Sequence, residues 1–335
     1  MGVNDQRGQR SGAAVSVVVP SFNHSSYIET CLRSVFNQSM PPDRLLVIDD
    51  GSTDDSVRII ERLLTGCPFP AGLVSRSNKG LSATLNEGLE RTTGEFFAYL
   101  GSDDSWHPDR LRLGVDALRE NPEAVLSYGD CLLIDSEGRV ISDSRRRRPH
   151  RPDVTLEDLF RFSSLPLTPT ITYRRAALEQ VGGWNESTFL EDYESDLMLR
   201  SLGPFAFIPR MLGSWRQHEG QVSKHLQSVM DEALATQRRV AHRLGIPDAE
   251  LASYQASVRF FYGEQFLRVG QWRKGVALTV GSLSAVPSPS ALVDRALRIA
   301  IPSRLVRARR DLLTRRASRR LAPNLTADDR STVQR

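Results

Sequence analysis

Acidic and polar residues gather at three points where an extended apolar run ends. Val15 to Pro20 leads into Ser21-Phe22-Asn23, Arg44 to Asp49 into Asp50-Gly51-Ser52, and Glu95 to Leu100 into Gly101-Ser102-Asp103-Asp104. Carboxylates converging from several strand ends can accept hydrogen bonds from a base or ribose and can hold a cation through oxygen. Each cluster also has a plainer use. Asp-Gly-Ser makes an ordinary turn and helix cap, and Asp103-Asp104 ahead of Pro108 would complement a helix dipole. What favours a ligand crevice is that all three fall at one sheet edge, where loops open and helix N-termini point inward.

The elements that must position them follow from periodicity. Short β-branched runs alternate with segments of helical period, the pattern of βαβ units and a largely parallel sheet. Strands are expected at Val15 to Pro20, Arg44 to Asp49, Leu73 to Arg76, Glu95 to Leu100 and Val125 to Tyr128. Helices are expected at Ser25 to Asn37, Asp54 to Leu64, Leu81 to Glu90 and from Pro108 to about Asn121. Beyond that the alternation fades. Thr155 with Asp158 reads as a capping box for a short helix through Phe162, Glu191 to Leu202 as a helix, and Phe205 to Ile208 as a strand. Three further helices are expected at Gln227 to Leu244, Leu251 to Val269 and Trp272 to Leu283. The domain plan is a polar N-terminus over 1–14, an α/β domain over 15–223 (halves 15–130 and 131–223), a helical region over 224–302 and an Arg-rich tail over 303–335.

Charge distribution bounds the partners. The pI is about 9.1, yet Arg304 to Arg320 alone carries eight Arg against one Asp, and the residues before it sum to −3. A domain that is not itself basic need not attract nucleic acid, and none is expected as a partner. The tail interleaves Leu305, Val306, Leu312, Leu313 and Leu321 with Arg, a pattern that permits a helix on an anionic membrane surface. Arg145 to Arg148 reads as a solvated loop or, alternatively, as a contact for an anionic acceptor. Cys31, Cys67 and Cys131 lack the number and spacing of a disulfide framework or zinc site, which fits a reducing cytoplasm. The first fourteen residues hold no apolar run of the signal-peptide kind, and no stretch has the ~18 apolar residues of a membrane span.

From Val15 to about Ser223 the chain resembles the family-2 glycosyltransferases. The strings SVVVPSFNHSSYIETCLRSVFNQ, LLVIDDGSTDDS, SNKGLSATLNEGLERTTGEFFAYLGSDD, LEDYESDLMLR and SWRQHEGQVS occur in family order and spacing. The resemblance implies a GT-A fold: an α/β, mixed but mostly parallel sheet flanked by helices, here followed by a C-terminal helical region. It implies an inverting transfer of sugar from a nucleotide-diphosphate donor, a UDP-sugar by expectation, to a hydroxyl of a glycan or lipid-linked acceptor in cell-surface polysaccharide or glycolipid assembly.

Carried over residue by residue, Pro20, Ser21, Phe22 and Asn23 line the nucleobase, with Phe22 in place of the usual tyrosine. Asp50, beside Gly51, accepts the base N–H, and Lys79 approaches the nucleotide or is a solvated lysine. Asp103 and Asp104 match the metal motif, with Asp104 the expected direct ligand of Mn2+ or Mg2+ and Asp103 the ribose or supporting contact. His218 completes the metal site or touches the diphosphate. Of Glu191-Asp192, the aspartate is the expected base; by residue type alone the pair reads as helix capping. Trp184 precedes the base and either stacks on an acceptor sugar or packs in the core. Two rival readings stand beside this one: a sugar nucleotidyltransferase, which lacks an evident glycine-rich loop here, and a non-catalytic sugar-nucleotide or glycan-binding scaffold.

Overall fold

The computed structural model describes residues 15–144, 153–218 and 225–283. The expectations for residues 1–14, for Arg145 to Arg148, for the domain boundary at Ser223 and for everything after 283, the Arg-rich tail included, lie outside the described residues.

Four parallel strands form one half of the sheet in the order β3-β2-β1-β4: β1 (Val15–Ser21), β2 (Arg44–Asp49), β3 (Ala71–Ser75) and β4 (Phe96–Tyr99). β1 is buried along its whole length, as a strand covered on both faces must be. Val17 and Val19 enter one core with Ile28, Leu32 and Val35 of α1 (Ile28–Phe36) and Ile60 of α2 (Ser56–Leu64), while Val18 enters the other with Leu85 and Leu89 of α3 (Leu81–Glu90). Ile28, Cys31, Leu32 and Val35 recur at helical spacing and are all fully buried, so α1 is held by its apolar stripe.

The second half is mixed. β8 (Thr172–Arg174) runs antiparallel between β4 and β6 (Leu126–Asp135), and β6 then pairs in parallel with β9 (Phe205–Gln217). The two-residue β5 (Ser105–Trp106) closes that edge on β9, and β7 (Val140–Asp143) forms a hairpin with β6. α4 (Arg110–Glu120) covers this half, and the Thr155–Asp158 capping box opens α5 (Leu156–Phe160) as expected. After α6 (Arg175–Val181), α7 (Glu191–Leu202) lies between the sheet and the C-terminal helices.

β9 is far longer than the expected Phe205 to Ile208. Pro209 interrupts its amide ladder, and the register slips there, from Ile208 opposite Gly129 to Met211 opposite Asp130. Pairing resumes through Gln217, which carries the chain back to the edge where β1 and β4 end.

The helices α8 (Leu226–Leu244), α9 (Asp248–Arg268) and α10 (Trp272–Val280) follow the expected order. Buried residues of the α/β region and of these helices belong to one core cluster. Phe160 stacks on Tyr254 at 4.9 Å, Phe162 meets Tyr193 and Tyr262, and buried Gln237 donates to the Phe160 carbonyl and the Tyr193 hydroxyl. Truncating the fully buried Phe160 to Ala should therefore lower stability by about 3–5 kcal/mol. In urea the α/β region and the helices should still unfold in one transition; separate transitions for the two would contradict the shared core.

Candidate functional site

Because β1, β2 and β4 are parallel neighbours, the loops after Ser21, Asp49 and Tyr99 open at the same edge. The first two are laced together. Buried Asp49 accepts from the Ser52 amide at 2.9 Å and from its hydroxyl at 2.5 Å; Ser52 Oγ accepts the Asn23 amide, and Asn23 Oδ1 accepts the Thr53 amide. Asn23 sits at φ 53°, a left-handed position that Asn tolerates better than most residues. Pro20 and Ser21 lie buried beneath this turn, and Phe22 stands out of it, 46% exposed.

Asp50 has a defined set of partners. It pairs with Arg76 and accepts the amides of Lys79 and Gly80 at 2.8 and 2.9 Å, and Arg76 reaches on to Glu87 at 2.7 Å. The carboxylate thus ties the loop after β2 to the start of α3. Gly51 allows this at φ 85°, since a Cβ there would lie 2.9 Å from the Asn78 amide. The Lys79 side chain is exposed, and its backbone reaches Asp50.

The acidic turn after β4 divides its two carboxylates. Asp104 is 5% exposed and accepts the Arg216 amide at 2.8 Å; burial, with the charge of Asp103 beside it, holds its acid well above the usual range. Asp103 faces outward, with Oδ2 3.0 Å from His218 Nε2. The His24 ring lies 5.6 Å from that of His218, and its Nδ1 is hydrogen-bonded to Ser102 Oγ at 2.7 Å, which leaves Nε2 to face the cluster. One donor atom from each of His24, Asp103 and His218 lies within 4.8 Å of the others. Burial holds the His24 imidazole below its ordinary value, despite the nearby Asp103 charge, and so keeps it neutral as a metal ligand must be. Two imidazoles and a carboxylate are a donor set that fits a divalent transition cation. Asp103 thus meets the histidines while Asp104, the expected direct ligand, accepts the Arg216 amide, and His24 joins a set expected to hold Asp104, Asp103 and His218. The one signal for His24 was its place two residues beyond Phe22 at a strand end.

Glu191 and Asp192 open α7 and face the same edge. The Tyr99 hydroxyl, at the end of β4, donates to Glu191 Oε1 at 3.4 Å, and Thr168 Oγ1 donates to Asp192 Oδ2 at 3.3 Å. Desolvation and the adjacent Asp192 charge push Glu191 up to about 8; desolvation also raises Asp192, against the Thr168 bond. A pair so placed titrates as a unit, with its affinity for a proton raised above that of an exposed carboxyl. Asp196, one turn deeper and buried, is raised well above the usual carboxylate range by the same desolvation. Trp184 lies elsewhere. It is 2% exposed among Phe97, Tyr99 and Tyr173, with ring centroids 5.6 to 5.8 Å away, so aromatic side chains take up its ring.

Residues 16–182 match the profile described as Glycosyl transferase family 2. The chain belongs to this family. It is 30% identical over 198 residues to the chondroitin synthase of Escherichia coli, an alignment covering 59% of this chain and 28% of that one. The chain spans about half or less of the length of the first curated relatives it matches. Among solved structures, Staphylococcus aureus TarS in complex with UDP-GlcNAc superposes with a TM-score of 0.58 at 20% identity, covering 81% of this chain and 79% of that one. The mannosyltransferase PcManGT of Pyrobaculum calidifontis, in complex with GDP-Man and Mn2+, superposes at 0.57 and 17% identity, over 91% and 86% of the two chains. The fold is GT-A.

The Glu191 proton gives the site a pH signature. The folded protein keeps this proton where the unfolded chain, with an ordinary value of 4.5, has released it. The contribution of the protonated form is full below 4.5, declines as pH rises and levels off near 8. Melting temperature in chelator should therefore fall between about pH 4.5 and 8 in the wild type, and Glu191→Gln should flatten that fall and melt higher at pH 8. An unchanged slope in the variant would place the proton elsewhere.

Proposed function

We propose that this family-2 protein is a metal-dependent, inverting glycosyltransferase that moves a sugar from a nucleoside diphosphate donor to a hydroxyl acceptor. The observation that carries this reading is the Tyr99–Glu191 contact. It brings the acid pair to the strand end that holds Asp103, so donor and acceptor chemistry fall in one crevice. In that crevice, the exposed ring of Phe22 offers a stacking face for the base above Pro20 and Ser21. Asn23, Asp50 and Gly51 fix the loops around it, and Lys79 stands at the rim.

His24, Asp103 and His218 hold the cation, and Asp104 fixes the turn from behind through the Arg216 amide. A divalent ion there supplies countercharge for a leaving diphosphate. With two imidazole donors the site favours Mn2+ over Mg2+, which prefers oxygen ligands alone. Asp192 takes the proton of the acceptor hydroxyl at a carboxylate oxygen oriented by Thr168, and its raised affinity for a proton improves it as a base. Glu191 keeps its own proton and so spares the pair a second negative charge. The TarS and PcManGT structures contain UDP-GlcNAc and GDP-Man, which supports a nucleotide-sugar donor, and the family's presence in chondroitin synthase supports a role in polysaccharide assembly. A UDP-sugar and a glycan or lipid-linked acceptor are the partners proposed.

Purified protein screened by thermal shift against UDP-, GDP- and dTDP-sugars should show a donor-dependent rise with Mn2+, a smaller one with Mg2+ and none in EDTA. Asp103→Asn should lose that rise. Asp192→Asn should keep it while transfer falls by about 10²–10⁴-fold, the usual worth of a general base. Transfer that survives in Asp192→Asn would remove this residue as the base.

A further inference from the structure

The helical end of the molecule presents an apolar face that the described residues leave uncovered. On α10, Trp272, Val276 and Val280 recur every four residues and are 49%, 48% and 60% exposed; Leu283 continues the stripe, and Val269 precedes it at 60%. At 100° per residue, positions 272, 276 and 280 fall within one arc of the helix, and Leu283 is exposed just past its end. The inward side of α10 is filled by other means: Gly275 packs against Leu267, and Thr279 lies against Gly263 of α9. Beside the stripe opens a groove of about 410 Å³, lined by Leu226, Phe266, Val269 and Lys274 among others.

Charge identifies the occupant. Arg268 and Arg273 are exposed beside the apolar positions, the Lys274 ammonium lies 4.4 Å over the Phe266 ring at the groove, and residues 268–283 include no Asp or Glu. Residues 268–320 together carry a net +11, whereas residues 1–267 carry −7. Residues 1–267 are thus acidic overall, and the chain's net positive charge lies in the stretch of sequence that carries and follows the exposed apolar stripe. A second copy docking here would oppose like charges. Docking of the chain's own apolar stretch over 291–301 would add Arg295 and Arg298 to a face already bordered by Arg268 and Arg273, and would leave the asymmetry without a use. Nucleic acid would match the charge and leave a tryptophan and four aliphatic side chains in water.

We propose that the face Val269-Trp272-Val276-Val280-Leu283 of α10, with its basic border, docks on an anionic membrane surface. The aliphatic side chains enter the acyl boundary, Trp272 sits at headgroup depth, and the Arg and Lys heads meet lipid phosphate. No helix among the described residues is long and apolar enough to cross a membrane, so the contact is parallel to the surface. The inference is independent of the transfer chemistry proposed above.

The full chain, with vesicles of phosphatidylcholine alone or equimolar phosphatidylcholine and phosphatidylglycerol, provides the test. Cosedimentation should occur with the anionic vesicles and nearly vanish with the neutral ones. Trp106 and Trp184 are buried and Trp215 is half-buried in β9, so the blue shift in tryptophan emission that binding causes at α10 is the part that should disappear in Trp272→Phe. The double variant Val276→Asp with Val280→Asp alters exposed positions only and keeps the entire tail. It should lose about tenfold or more in partitioning, as expected for removing two buried valines from the contact, with an unchanged far-UV spectrum and melting temperature. Wild-type partitioning in this variant would make the tail alone the anchor and overturn the proposal. Three other results would overturn it as well: no anionic binding with Trp272 emission already blue, a dimer that the double variant dissolves, or displacement from vesicles by duplex DNA that the double variant does not affect.

Discussion

The site depends on Arg216. Its amide donates to Asp104, its Nε to the Asp103 carbonyl at 2.7 Å, and its Nη1 to the carbonyls of Asp135 and Ser136 in the β6–β7 turn, while the guanidinium lies 4.7 Å over the Tyr27 ring. One 5%-exposed cation therefore joins the end of β9, the acidic turn after β4, the β6–β7 hairpin and the start of α1. The planar, five-donor fork of arginine suits a junction where several carbonyls converge from different directions. Two residues on, His218 emerges beside Asp103, and the ring that Arg216 covers belongs to Tyr27, which also touches His24 and His218. The three metal-type donors come from distant parts of the sequence and have this junction in common.

The parallel half of the sheet was legible because its signals are local. β1 and β2 were read to within a residue, and the capping box at Thr155 was read correctly from two residues. What escaped depended on partners. β5 and β8 are two and three residues long and exist as strands only because β9, β4 and β6 lie beside them. β6 continues six residues past Gly129 because the returning β9 and the β7 hairpin offer it ladders, which no window of sequence shows. Likewise, spacing placed Trp184 just ahead of the acid pair, but only the packing of β4 and β8 shows that its ring is enclosed by Phe97, Tyr99 and Tyr173. Strand-end spacing pointed to one sheet edge, and the family resemblance supplied the residue roles; which of two neighbouring aspartates faces outward was decided by a contact more than a hundred residues away in sequence.

Asp103, Asp104, Glu191, Asp192 and Asp196 bring five acids to one sheet edge, an arrangement that must be unfavourable while every member is ionised. The structure relieves it by unequal burial. Asp104 and Asp196 are withdrawn and held toward their neutral forms, desolvation raises both Glu191 and Asp192, and Asp103 is left facing His218. Asp103 and Asp192 are the two carboxylates with distinct uses, one facing a pair of imidazoles and the other facing a hydroxyl donor in Thr168. Separation of roles among chemically identical side chains follows from how deeply each is placed.

The same electrostatics ties folding to ligand binding. A site that keeps negative charge at its surface is stabilised by anything that supplies a cation, and a nucleoside diphosphate brings two phosphates that need one. Neither partner alone is well matched. The free diphosphate would meet carboxylates, and a bare cation would find three donors among the described residues, His24, Asp103 and His218. Bound together, the cation would supply the countercharge that the phosphates need beside these acids. The rigid junction at Arg216 then matters most, because a donor set spread over His24, Asp103 and His218 keeps its spacing only while the three segments that carry it are held to one another.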